Sequence, residues 1–290
     1  MRILHLTNKP ADKTLIGKVP TEEQMGTVID EDTLVYVDGV PALLYQILPE
    51  SMVHGLRYIA ENADMSMSKR VNGVPTRAAV FGTLPASPSR STCFCRFSRP
   101  THDQKEMLPP LMDFNQHVDR MYRETFPEAY ARDMAWVESK VNADWRWMPG
   151  PYQTVNFNTN FAIPYHFDKG NVPGSLSNVL ILSKDITGGQ LVCPTLGVSL
   201  SQRDRAWTLF NGEGLLHGVR PIKYLRGERS YRSSIVYYTL RAMAACGSRS
   251  EEISRTQTRL TERARRTNAE RLDKVRKMNR GLLAKREPGT

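Results

Sequence analysis

The chain has no run of about 18 consecutive apolar residues, so nothing in it is expected to span a membrane. Its opening segment, MRILHLTNKPADK, has too short an apolar core for a secretory signal. Cysteine is scarce, with four in 290 residues (Cys93, Cys95, Cys193 and Cys246). They are too few and too scattered for a disulfide framework. Cys93-x-Cys95 lacks the second close pair that a structural zinc site needs. The expectation is an intracellular protein, cytoplasmic or nuclear, with reduced thiols. No internal repeat is visible. Acidic residues are in deficit, 30 Asp and Glu against 40 Lys and Arg, and the deficit is concentrated. From Arg241 onward, 14 Lys and Arg face 6 Asp and Glu, which gives +8 of the chain's +10. Such a tail is either a solvated helix or a non-specific contact to a polyanion.

What is present divides by texture. Residues 1–50 read as a β-rich N-terminal extension. TLVYVDGVPALLYQIL places a strand on each side of Asp38-Gly39, a two-residue hairpin turn. Residues 66–110 are rich in Pro, Ser and Arg and read as an ordered loop or lid carrying Arg90, Arg96 and Arg99. Residues 111–141 show helical spacing, split into two helices at Pro127. From 152 to 240, short apolar runs broken by Gly, Pro and Asn predict an antiparallel sandwich or barrel. Beyond 247, the Arg-, Glu- and Ala-rich sequence predicts a long, frayed or partly disordered helix with a weak apolar stripe.

The chemistry-bearing residues fall inside the β-rich block. In NFAIPYHFDKGN, His166 and Asp168 stand two apart at a strand end, on one face because side chains alternate. His217 follows the apolar strand GLLHGV. Two imidazoles and one carboxylate on one face of a metal leave open positions opposite, the arrangement of non-haem Fe(II) oxygenases. A four-ligand zinc site would close them. Arg232 lies 15 residues past His217, with Ser234 two further on the same strand face. A keto acid with two carboxylates that chelates iron at one end needs a forked donor for the other, which Arg supplies. Arg229 competes for this role, and spacing alone leaves both open.

With these residues in view, the chain resembles the 2-oxoglutarate/Fe(II) dioxygenases, and more narrowly the TET/base-J-binding-protein family. That family oxidises the 5-methyl group of pyrimidines in nucleic acid. The resemblance covers about residues 150–240, with a fainter echo from about 80. It is carried by His166-x-Asp168-x-x-Asn171, by the distance from His217 to Arg232-x-Ser234, and by RSSIVYY, which matches the family's RxSLVFY. It implies an α+β chain with a double-stranded β-helix (jelly-roll) core at about 150–242, inside a dioxygenase domain over 51–245. Flanking helices complete it, while the basic helical or disordered tail at 246–290 lies outside the resemblance. It implies Fe(II) on His166, Asp168 and His217, and 2-oxoglutarate on Arg232 and Ser234, with O2 as co-reactant and ascorbate as a helper. It places Asn171 and Tyr238 against a flipped base in DNA. Asn158 and Asn160 are further candidates to touch the cosubstrate. The chain departs from the animal enzymes at Leu240, where they carry a cytosine-reading His, so thymine is as natural a target as 5-methylcytosine. Two rivals remain. One is the same chemistry on a protein side chain, such as a prolyl group. The other is a non-enzymatic β-barrel tethered to nucleic acid by the tail.

Overall fold

A computed structural model describes residues 1–69, 75–87, 94–159 and 162–284 of the chain. The N-terminal segment forms β1 (Arg2–Leu6), β2 (Thr27–Ile29), β3 (Thr33–Val37) and β4 (Val40–Ile47), then helix α1 (Glu50–Asn62). Next come β5 (Ser66–Lys69), β6 (Pro75–Leu84), β7 (Arg96–Phe97), and helices α2 (Arg99–Asp103), α3 (Leu108–Thr125) and α4 (Pro127–Lys140). The block that follows holds β8 (Thr154–Thr159), β9 (Ser177–Lys184), β10 (Ile186–Gly188), β11 (Leu191–Cys193) and β12 (Val198–Leu200). It continues with β13 (Ala206–Phe210), β14 (Gly218–Val219), β15 (Ile222–Tyr224) and β16 (Tyr231–Tyr238), and the chain runs on into α5 (Arg249–Ala284).

Three layers result. A large sheet runs β1-β3-β4-β13-β9-β16-β8-β6-β5, and a smaller one runs β14-β11-β12-β2. The first 47 residues therefore supply strands to both sheets, through β4 on β13 and β2 on β12. Period-two alternation assigns each face of the large sheet its partner. On β16, Ile235 and Tyr237 pack with Leu56 of α1 and Phe114 and Val118 of α3. Arg232, Ser234, Val236 and Tyr238 point the other way, into the space between the sheets. The small sheet closes that space with Ile29, Leu191, Val198 and Val219 against Phe210 and Ile181.

Local chemistry sets the element ends. Asp38 and Gly39 both take positive φ, 50° and 83°, the geometry of a tight hairpin turn that matches strand twist. Pro127 occupies the first turn of α4, where its missing N–H costs nothing, and Phe126 ends α3. Among the described residues no helix is long and apolar enough to cross a membrane.

Three expectations change. The 66–110 stretch is not a loop throughout. β6 is ten residues long and pairs with β8, burying Ala79 and Phe81. Its flanking Pro, Ser and Arg hide a period-two pattern. Arg96 lies in β7, Arg99 pairs with Asp103 at 2.7 Å, and Arg90 falls outside the described residues. The residues after position 50 form α1, unread in the sequence. Third, Cys95 and Cys246 form a disulfide, against the expectation of reduced thiols. They are 151 residues apart and meet only because the segment before β7 and the turn after β16 bury Val137, Val141, Trp145 and Met243 together. A separation of 151 residues carries no trace of this pairing in the sequence.

The same junction anchors α5. Glu252 is buried and accepts from Cys95 N at 2.9 Å and Gly247 N at 2.8 Å, and it pairs with Arg255. Past Thr256, every described side chain of α5 is exposed.

Candidate metal centre

The stretch that carries His166 turns twice. Pro164 offers its carbonyl to His166 Nδ1 at 2.9 Å. His166 then exchanges backbone hydrogen bonds with His217, N to O at 2.8 Å and 3.1 Å. The two histidines thus face each other across one rung of an antiparallel ladder, rings 4.3 Å apart. His217 Nδ1 bonds Leu215 O at 2.8 Å. With each Nδ1–H donated to a carbonyl, each Nε2 carries the lone pair, the tautomer a metal ligand requires.

Asp168 completes the group. Its Oδ1 lies 3.3 Å from His166 Nε2 and its Oδ2 3.9 Å from His217 Nε2. One ligand atom from each residue falls within 4.8 Å of the others. Burial pushes the His217 imidazole down to about 4, against the pull of Asp168, so it stays neutral and able to coordinate at physiological pH. Behind Asp168 stands Gly212, whose carbonyl accepts the Asp168 N–H at 2.9 Å. A Cβ at Gly212 would sit 2.6 Å from Asp168 Oδ2 and 3.5 Å from His217 Cε1. The carboxylate can turn toward the histidines only because residue 212 has no side chain. Asn211 Oδ1 accepts from Gly214 N at 2.7 Å and fixes the turn that delivers Gly212.

The three residues open onto a cavity of about 350 Å³ between the sheets. At its rear lies Arg232, 2% exposed, with Nη2 donating to Gln202 Oε1 at 2.8 Å. Burial lowers this guanidinium to about 10. Gly189, at φ +72°, closes over it, and a Cβ there would meet Arg232 Nε at 3.5 Å. Ser234 lines the same wall, two residues along β16. Arg229 is exposed and lies outside the cavity. At the mouth stand Asn171, Tyr238 and Leu240. Asp168 O accepts from Asn171 N at 2.9 Å, so Asp168 to Asn171 form one turn, and Asn171 bridges to Leu240. Asn171 Nδ2 also donates to Ser177 at 3.0 Å. Asn158 lines the wall beside Asn156, whereas Asn160 lies outside the described residues.

All seven site residues named from the sequence therefore border one cavity. Gln202 and Gly212 were missed. Gln202 sits in an irregular stretch between β12 and β13 with no motif around it. Gly212 was visible only as a turn glycine in FNGEG.

The donor set suits the groups the resemblance implies. Two imidazole nitrogens and one carboxylate fit iron, and a buried arginine in the same cavity fits a carboxylate. No curated protein matches the chain. A solved structure, NgTET1 in complex with 5mC DNA, aligns with TM-score 0.57 at 13% identity, covering 80% of this chain and 90% of that one. The two share a fold, the double-stranded β-helix. A bsmA homologue from Methylobium petroleophilum PM1 aligns at TM-score 0.37 and 9% identity, over 66% of this chain and 82% of that one, too slight a likeness to bear on the fold. The Tet_JBP family model, described as the oxygenase domain of the 2OGFeDO superfamily, matches residues 84–241. The match spans more than half the chain and contains every one of the cavity residues named above, and the chain belongs to this oxygenase family.

Proposed function

We propose that the chain is an Fe(II)- and 2-oxoglutarate-dependent dioxygenase that hydroxylates the 5-methyl group of a pyrimidine base in DNA. The observation that carries this reading is the placement of His166, Asp168 and His217 in one cavity with the buried Arg232. His166 Nε2, His217 Nε2 and one Asp168 oxygen would hold the iron. Arg232 would meet the distal carboxylate of 2-oxoglutarate through parallel N–H donors, with Ser234 adding a hydroxyl. When bound, the iron with 2-oxoglutarate and O2 supplies the oxidising power for a C–H bond, and 2-oxoglutarate leaves as succinate and CO2. The protein's share is position and exclusion of water.

The DNA assignment draws support from the family match and from a neighbour of the same fold solved with 5mC DNA. It also suits the mouth of the cavity. A base taken out of the stack needs an aromatic face and polar partners for its pairing edge. Tyr238 offers the first and Asn171 the second. Leu240 presents only hydrocarbon where a cytosine reader would donate or accept, so thymine is accommodated at least as well as 5-methylcytosine.

Mass spectrometry of nucleosides tests the reading. DNA containing thymine alone, or thymine with 5-methylcytosine, is incubated with protein, Fe(II), 2-oxoglutarate and ascorbate. A 5-hydroxymethyl pyrimidine that requires both iron and 2-oxoglutarate is the expected product. Succinate release with no change in any nucleoside would redirect the assignment to another substrate class. Product only on the second DNA would overturn the inference from Leu240.

A further inference from the structure

The arginine at the rear of the cavity does not act alone. Gln202 is 5% exposed, borders the cavity, and accepts from Arg232 Nη2 through its carbonyl oxygen. Gln202 and Arg232 come from separate segments, 30 residues apart, and meet only in the folded sandwich. On its other side the guanidinium is covered by the Gly188-Gly189 turn, where both residues take positive φ and no Cβ intervenes. The guanidinium thus has the Gly189 backbone close by Nε and the Gln202 carboxamide on Nη2.

A carboxamide differs from the carboxylate that usually accompanies a buried arginine. It accepts at one atom and donates at the other, and it carries no charge. With Oε1 turned to Arg232, the Nε2 group is the corner free to meet a ligand's oxygen. A carboxylate can accept about four hydrogen bonds. Arg232 supplies two parallel ones, Ser234 one more, and a carboxamide N–H can fill the next.

We propose that Gln202 is the third member of the carboxylate clamp. It positions the Arg232 fork through Oε1 and donates through Nε2 to the distal carboxylate of a dicarboxylic keto acid. This rests on the reading of the cavity as a 2-oxoglutarate site. The neutrality of Gln202 is then part of the specificity. A Glu at 202 would also accept from Arg232, yet it would lose the N–H donor and face the ligand with like charge.

That opposition supplies the test. Fe(II)-loaded protein is titrated anaerobically by calorimetry with 2-oxoglutarate and with 2-oxobutanoate, which lacks the distal carboxylate. Gln202→Glu is expected to weaken 2-oxoglutarate binding by about tenfold or more, the scale of one hydrogen bond to a charged group, while leaving 2-oxobutanoate binding and the thermal midpoint unchanged. Gln202→Leu, a second variant with no polar group, is expected to lose roughly three- to tenfold on 2-oxoglutarate alone. If Gln202→Glu binds 2-oxoglutarate as tightly as the parent, or if both acids weaken equally in both variants, the role assigned to Gln202 is wrong. If the parent protein shows no preference for 2-oxoglutarate and Arg232→Lys changes nothing, the reading of the cavity fails before Gln202 is at issue.

Discussion

The rear of the cavity and its mouth are built differently. At the rear, each side chain is oriented by backbone. The two histidines share a ladder rung and donate to carbonyls at Pro164 and Leu215, Asp168 hangs from the Gly212 carbonyl, and Arg232 is closed in by Gly189. These anchors come from the segments that join the strands, not from the strands themselves. At the mouth, Asn171, Tyr238 and Leu240 sit on one turn and one strand end, joined by the bridge between Asn171 and Leu240, with Asn171 Nδ2 donating to Ser177. A rear fixed from several directions holds one chemistry. At the mouth a side chain such as that of residue 240 can change without touching those anchors. The departure at Leu240 is of this second kind.

The contrast yields experiments of graded size. Asp168→Ala removes a ligand, and turnover and succinate release are expected to vanish while the thermal unfolding midpoint stays close to the parent's. Full turnover would end the metal assignment. Gly212→Ala puts a methyl where the Asp168 carboxylate lies, and iron affinity measured by competitive chelation is expected to fall about 10- to 100-fold, the range seen when groups supporting a ligand are changed. An unchanged affinity would mean that the Asp168 loop gives way and the rear is softer than described. Arg232→Lys keeps charge and loses the fork, so the KM for 2-oxoglutarate is expected to rise about tenfold with iron binding intact. Arg229→Lys, the exposed competitor, is expected to leave it alone. At the mouth, Tyr238→Ala forfeits a stacking surface. Turnover on DNA is expected to drop about tenfold for a loss of ~1.4 kcal/mol, with DNA-independent decarboxylation of 2-oxoglutarate preserved. Loss of both activities would erase the distinction between rear and mouth. The smallest effect is expected far from the cavity. Truncation after Thr256 keeps the Glu252 anchor and removes the exposed basic part of α5, which is expected to weaken DNA binding on all sequences and flatten its salt dependence. An unaltered slope would make α5 a solvated helix.

Which of these features the sequence exposes follows from how far apart the partners lie. His166-x-Asp168 is legible as two ligand types two residues apart, although the pair lies on an irregular segment after β8 and not on the strand end that alternation predicted. Pro127 and Asp38-Gly39 are legible because their backbone preferences are local. Arg232 becomes legible once His217 supplies a reference. Gln202 is not, since its only signal is a contact that forms when the segment between β12 and β13 folds over β16. Gly212 looks like any turn glycine until the carboxylate beside it is seen. Cys95 and Cys246 are separated by most of the fold, and β6 is masked by the Pro- and Ser-rich sequence that follows it.

On the proposed assignment, the shared rung of His166 and His217 has a consequence for how a metal would be taken up. Because the imidazoles are registered by peptide hydrogen bonds, their spacing is a property of the folded chain and is set before any ion arrives. Loading would then be a capture by a finished socket, not a step of folding. Its contribution to the melting temperature would follow the logarithm of free metal over Kd, and a chelator is expected to strip activity while leaving the β-sandwich standing. Exchange of iron for a redox-inert divalent ion leaves the same socket filled, and provides a resting form in which both organic ligands can be held side by side without reacting.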